Sequence, residues 1–213
     1  MLGYLKCDVS KTYVIPHIVE PLRRRVVPSD GVLKICYMGC LDGPRQPWTT
    51  IEALDIFHKK HNGLDFKVDF IGTAPCGTVE AIQMRHLDKV VSVYPPVSYT
   101  ESLNLLQDYD VALIIEAPCR EGVFLPSKVS DAMAAGLPVF AISPSVGVLN
   151  DMHKNGYIRY FADVTRPESI VGGLDNIVSD YIAGRLESPT IPTDFEPEYV
   201  GEQYDRITEA ILK

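Results

Sequence analysis

Long apolar runs are missing from this 213-residue chain. None reaches the roughly 18 consecutive apolar residues of a membrane span, and no signal-like apolar core follows Met1. A soluble, cytoplasmic protein is the expectation, with any membrane contact peripheral. Positive charge is also scarce: 20 Lys and Arg stand against 28 Asp and Glu, a formal net charge of −8. That balance argues against nucleic acid as a partner, because a phosphate backbone needs a concentrated positive field. The one basic cluster, Arg23-Arg24-Arg25, reads as a solvated loop in a linker before it reads as a lipid or acidic-acceptor contact.

Metal-binding and redox spacings are lacking as well. The five cysteines (Cys7, Cys36, Cys40, Cys76 and Cys119) are an odd number with no Cys-x-x-Cys pair, so reduced thiols are expected. Cys36 reads as a buried strand residue, while Cys40 and Cys119 fall in loops near the expected site. The histidines form no His-x-x-x-His pair; His58 and His61 flank Lys59 and Lys60, which suits the negative end of a helix dipole better than a metal. No metal site is expected. Neither a Gly-x-x-x-x-Gly-Lys-Ser/Thr loop nor a Gly-x-Ser-x-Gly elbow occurs, which leaves P-loop and serine-hydrolase readings without support. No internal repeat or low-complexity tract appears.

What is present is an alternation. Apolar runs at 32–39, 66–72, 90–94, 111–115, 138–142 and 158–161 read as strands. Between them Ile51-Leu54-Phe57, Leu103-Leu106 and Val129-Ala132-Met133 recur at helical spacing. The segment 167–183 and a last segment from about 198 to 212 carry the same helical periodicity. Strands alternating with helices predict an α/β fold, a parallel sheet of about six strands covered on both faces. Ligands of such sheets gather at the carboxyl ends of the strands. Gly39, Gly72, Pro95 and the loop after Ile115 all fall there.

The densest chemistry lies in Phe124-Leu125-Pro126-Ser127-Lys128-Val129-Ser130-Asp131, followed by Ala-Met-Ala-Ala-Gly136-Leu-Pro-Val. It predicts a loop, a short helix, a glycine stop and a buried strand. Lys128 and Asp131 stand one turn apart, so both project from one side of the helix start, where free N–H groups favour an anion. A cation, amides and a carboxylate together suit a ligand with a diphosphate and a ribose. An ordinary amphipathic helix with solvated charges is the competing reading.

The order of these pieces resembles the C-terminal, nucleotide-sugar-binding half of a GT-B glycosyltransferase, most similar to glycosyltransferase family 4. The likeness runs from about Tyr13 to the C-terminus. It is carried by Tyr37-Met38-Gly39-Cys40-Leu41-Asp42-Gly43-Pro44-Arg45, Ile71-Gly72-Thr73, Tyr99-Thr100-Glu101-Ser102-Leu103, Asp110-Val111-Ala112-Leu113 and the Asp131-to-Val139 helix and strand. The resemblance implies a Rossmann-like three-layer α/β/α domain over residues 32–187. Residues 1–31 are then an interdomain crossover and linker, and 188–213 a linker with a C-terminal helix packing back. Two departures stand out. The family's Glu-x7-Glu pair is represented by Asp131 with Val123 eight residues earlier, which makes Glu121 the nearest substitute for the first glutamate. Cys40 occupies the place of an arginine, leaving Arg45 as the cation of its loop.

The implied function is binding of a nucleoside-diphosphate sugar for retaining transfer to an acceptor hydroxyl. Arg45, Lys128 and the amides at Ser127 would hold the diphosphate, beside Gly39 and Cys40. Asp131 would hold the ribose, Thr73 with Tyr94 or Pro95 would border the base, and Glu121 would contact the donor sugar near Phe124, Leu125 and Pro126. No cofactor is implied beyond the nucleotide sugar, which is a substrate. A complete two-domain enzyme needs about twice this length. The acceptor glycan or lipid-linked sugar is therefore expected to meet a missing N-terminal half, in a longer chain or a partner. A non-catalytic nucleotide-sugar-binding or assembly module, and a GT-B-like sugar-nucleotide epimerase, remain open alternatives.

Overall fold

A computed structural model describes residues 13–22 and 30–212. Arg23-Arg24-Arg25, most of the expected linker, and Cys7 lie outside the described residues. Six strands form one sheet: β1 (Leu33–Met38), β2 (Phe66–Ile71), β3 (Val91–Tyr94), β4 (Val111–Ile115), β5 (Val139–Ser143) and β6 (Tyr160–Asp163). All pairings are parallel, in the order β3-β2-β1-β4-β5-β6. The chain order therefore reverses between β1 and β4, and a crevice opens at the carboxyl ends of that pair.

Seven helices accompany the strands among the described residues: α1 (Trp48–Lys60), α2 (Thr78–Met84), α3 (Tyr99–Leu106), α4 (Ser127–Ala134), α5 (Val148–Lys154), α6 (Pro167–Ile182) and α7 (Pro197–Leu212). β4 and β5 are buried along their whole length, as continuous apolar runs covered on both faces must be. One core layer joins Ile35, Phe70 and Phe140 of the sheet to Leu54 and Phe57 of α1 and Leu174 and Ile177 of α6. The opposite layer joins Cys36, Ala112 and Ala141 to Val129, Ala132 and Met133 of α4 and Leu149 of α5. Burial pushes the Cys36 thiol far above its ordinary range, so it packs as a small apolar group.

The expected strand at 158–161 begins two residues later, at Tyr160. Tyr157 and Ile158 instead donate their N–H groups to the Met152 carbonyl and close the end of α5, which delays pairing with β5 until Tyr160 meets Phe140. Helices α2 and α5 have seven residues each, too short for apolar periodicity to announce them. Gly136 ends α4 as expected, with φ of 71° and the Leu137 N–H bonded to the Ala132 carbonyl. Residues 13–22 run along the domain: Val19 is buried and donates to the Phe195 carbonyl, and the Leu22 N–H bonds to Ala134.

α6 lies so close to the sheet that a side chain on Gly173 would sit 2.5 Å from the Phe140 ring, whereas Gly172 faces open space. Gly173→Ala should therefore cost about 1–3 kcal/mol by overpacking. Gly172→Ala should add stability of up to about 1 kcal/mol through helix propensity. Urea unfolding of the two variants checks the pair; equal effects would refute the close approach.

Candidate active site

The carboxyl ends of β1 and β2 meet almost backbone to backbone. Both end in glycines with positive φ, 137° at Gly39 and 138° at Gly72. A Cβ on Gly72 would fall 2.0 Å from the Gly39 carbonyl oxygen, and one on Gly39 would fall 2.2 Å from Lys128 Cε. No larger residue fits at either position without moving backbone or displacing the lysine. The Lys128 side chain thus lies across Gly39, with Nζ 5.4 Å from the centre of the Tyr37 ring. Tyr37 is itself buried and donates its hydroxyl to the Cys40 carbonyl at 2.9 Å, which fixes the turn after β1.

Around this crossing is a cavity of about 330 Å³. Gly39 and Cys40 form one wall, Pro96, Val97 and Tyr99 another, and Lys128 and Asp131 of α4 a third; Leu106, Ala112 and Ile114 line its apolar depth. The ammonium of Lys128 is held below its usual lysine range, chiefly by burial and next by the charge of Arg45. A cation in the first turn of a helix is also opposed by the helix dipole. An anion entering the cavity relieves all three penalties.

Of the residues expected at the site, Gly39, Cys40, Lys128 and Asp131 line this one cavity. Arg45 stands beside it and donates to Glu116 at 3.2 Å, so the loop's cation arrives already paired. Glu116 was not anticipated; its signal is a charged residue directly after the buried run of β4, at the point where the strand order reverses. Tyr99 is the second unanticipated member. Its hydroxyl donates to Asp131 Oδ1 at 2.9 Å, across 32 residues of sequence.

The remaining expected residues lie elsewhere. Tyr94 is exposed at the end of the edge strand β3, and the chain carries Pro96 and Val97 to the cavity wall in place of Tyr94 and Pro95. Thr73 is exposed, with its carbonyl accepting from the Leu41 N–H. Pro126 and Ser127 precede and open α4. Phe124 and Leu125 turn to a second groove, shared with Val14, Met152 and Tyr199. Glu121 is exposed on a loop pinned where Gly122 bridges to Gly147. Among the described residues no three of His, Cys, Asp and Glu converge as metal ligands, and no helix is long and apolar enough to cross a membrane.

A cation and a carboxylate meet at the switch point of a Rossmann-like parallel sheet, an arrangement suited to an anionic ligand. Residues 19–189 match the model of the glycosyl transferases group 1 family, and the chain belongs to that family. None of the proteins with curated descriptions matches it. Among solved structures it is similar to the C-terminal domain of a glycosyl transferase group 1 family protein from Francisella tularensis. The TM-score is 0.56 at 17% identity, covering 83% of this chain and 85% of that one. A glycosyltransferase from Rickettsia africae gives 0.65 at 17%, covering 87% of this chain and 49% of that chain. The pneumococcal O-GlcNAc transferase GtfA, solved in complex with UDP and GlcNAc, gives 0.61 at 17%, covering 93% and 38%. This chain thus spans about half, or less, of those two longer proteins.

The two glycines give separable predictions. Gly72→Ala drives a methyl into backbone and should cost about 3 kcal/mol or more of stability, measured by urea unfolding. Gly39→Ala meets only the flexible end of Lys128. It should cost less stability while displacing the lysine from the cavity. A Gly39 variant less stable than the Gly72 variant would contradict this geometry.

Proposed function

We propose that this chain is the donor-binding half of a glycosyltransferase and that the cavity between β1, β4 and α4 takes a nucleoside-diphosphate sugar. The observation that carries the reading is the joint presence of Lys128 and Asp131 in one cavity at the switch point of the sheet. Lys128, desolvated and repelled by Arg45, gains most from a doubly charged phosphate group. Arg45 shares that charge while Glu116 keeps its guanidinium in place. Asp131, an acceptor when ionised, suits the hydroxyls of a ribose.

In the transfer step the acceptor oxygen forms a bond to the anomeric carbon as the bond to the diphosphate breaks, the hydroxyl proton passing to the departing diphosphate oxygen, with retention of configuration. Negative charge develops on the departing diphosphate. Preorganised cations at that point stabilise the transition state more than the ground state. The acceptor must be held by surfaces beyond this domain, because orientation supplies several kcal/mol of the barrier lowering. The exposed position of Glu121 favours one second reading, a nucleotide-sugar-binding module without catalysis of its own.

Two outcomes are expected. Lys128→Met should weaken nucleoside diphosphate binding by about 1.5–3 kcal/mol, the range for a hydrogen bond to a charged group, and leave bare nucleoside binding almost unchanged. Calorimetric titration of both ligands decides it; an equal loss for both would show that Lys128 holds the base or the fold. The isolated 213 residues should bind donor and transfer no sugar, and adding an acceptor-binding half, fused or separate, should restore turnover. Radiolabelled transfer assays test this. Transfer by the chain alone would overturn the half-site reading, and donor binding without turnover in the completed protein would favour the non-catalytic module.

A further inference from the structure

The cavity has one feature that charge and strand ends do not explain. Tyr99 is the first residue of α3, and its side chain is largely exposed. It nevertheless lines the cavity and sends its hydroxyl to Asp131 Oδ1 at 2.9 Å. Its backbone is fixed on both sides: the Ser98 side chain caps the helix by accepting from the Glu101 N–H, and the Ser102 hydroxyl donates to the Tyr99 carbonyl. Among the described residues Tyr99 is the only side-chain hydrogen-bond partner of Asp131. A donor whose backbone is anchored at the start of one helix therefore engages a carboxylate on another across the cavity.

We propose that Tyr99 is a positioning residue, which fixes Asp131 through one carboxylate oxygen and leaves the other to accept from a ribose 2′-hydroxyl, so that the site selects ribonucleotides. The inference rests on the nucleotide reading of the cavity and deepens it. An unrestrained carboxylate on a helix surface samples many orientations, and ordering it costs part of the gain from any new hydrogen bond. A carboxylate already held by a phenol has lost that freedom. Contact with Asp131 also raises the Tyr99 hydroxyl above its ordinary range, so the phenol stays protonated and remains the donor. The side chain is exposed, so its hydroxyl can be removed without disturbing a core.

The test compares a nucleotide with its 2′-deoxy counterpart. UDP, GDP and ADP are screened for thermal stabilisation of the wild-type chain, and the best of them and its 2′-deoxy form are titrated calorimetrically. Wild type should prefer the ribonucleotide. Tyr99→Phe should reduce that preference by roughly threefold to tenfold, the size of one hydrogen bond, while the melting temperature without ligand stays the same. In an Asp131→Asn background Tyr99→Phe should change the preference no further. An unchanged preference in Tyr99→Phe, or an equal drop with and without Asp131, would overturn the positioning role while leaving the nucleotide site intact. If none of the three nucleotides stabilises the wild type, the nucleotide reading falls and this inference with it.

Discussion

Much of this domain's site depends on a steric constraint: the carbonyl of Gly39 occupies the space that any side chain at 72 would need. The approach draws the ends of β1 and β2 together and clears the surface over Gly39. Lys128 fills that clearing and gains the face of Tyr37, while its ammonium is left part-buried and short of a counterion. Had Gly39 carried a side chain, it would displace the lysine from this seat. The seat of Lys128 therefore follows from the missing Cβ of Gly39, and the strand crossing beneath it from that of Gly72.

The nearby charges make sense in the same terms. Arg45 lies close enough to depress the Lys128 ammonium, and Glu116 offsets part of that repulsion. Arg45 is paired with Glu116, whereas the part-buried Lys128 has no ion pair among the described residues, so the pull on an anion comes from Lys128, in a chain whose net charge is −8. Attraction is thus local, set by geometry at the switch point, and owes nothing to the overall charge. The second groove, where Phe124 and Leu125 meet Val14 and Tyr199, lies apart from these charges.

Strands β4 and β5 were legible because fully buried parallel strands are written as unbroken apolar runs. The glycines at 39 and 72, and the Lys128–Asp131 spacing, were legible because they are local. What escaped was long-range or short. Glu116 joins Arg45 across 71 positions and Tyr99 joins Asp131 across 32, and single-sequence periodicity carries no record of such pairs. Helices α2 and α5 fall below the length at which periodicity speaks, and the start of β6 was set by the cap of α5. The turn after β3 brings Pro96 and Val97, in place of Tyr94 and Pro95, to the cavity because the edge strand ends with its last side chain exposed.

The central claim is that Lys128 is a strained cation awaiting a phosphate. Its titration, followed by the NMR signal of the Nζ group with and without a nucleoside diphosphate, tests this most directly. Depressed in the folded chain and ordinary in the unfolded one, the group makes the chain more stable as pH rises through the interval just below 10.5. The account predicts a midpoint below 10.5 in the free protein that moves upward when the diphosphate binds. A midpoint at the ordinary lysine value, or one that the ligand leaves unmoved, would contradict it.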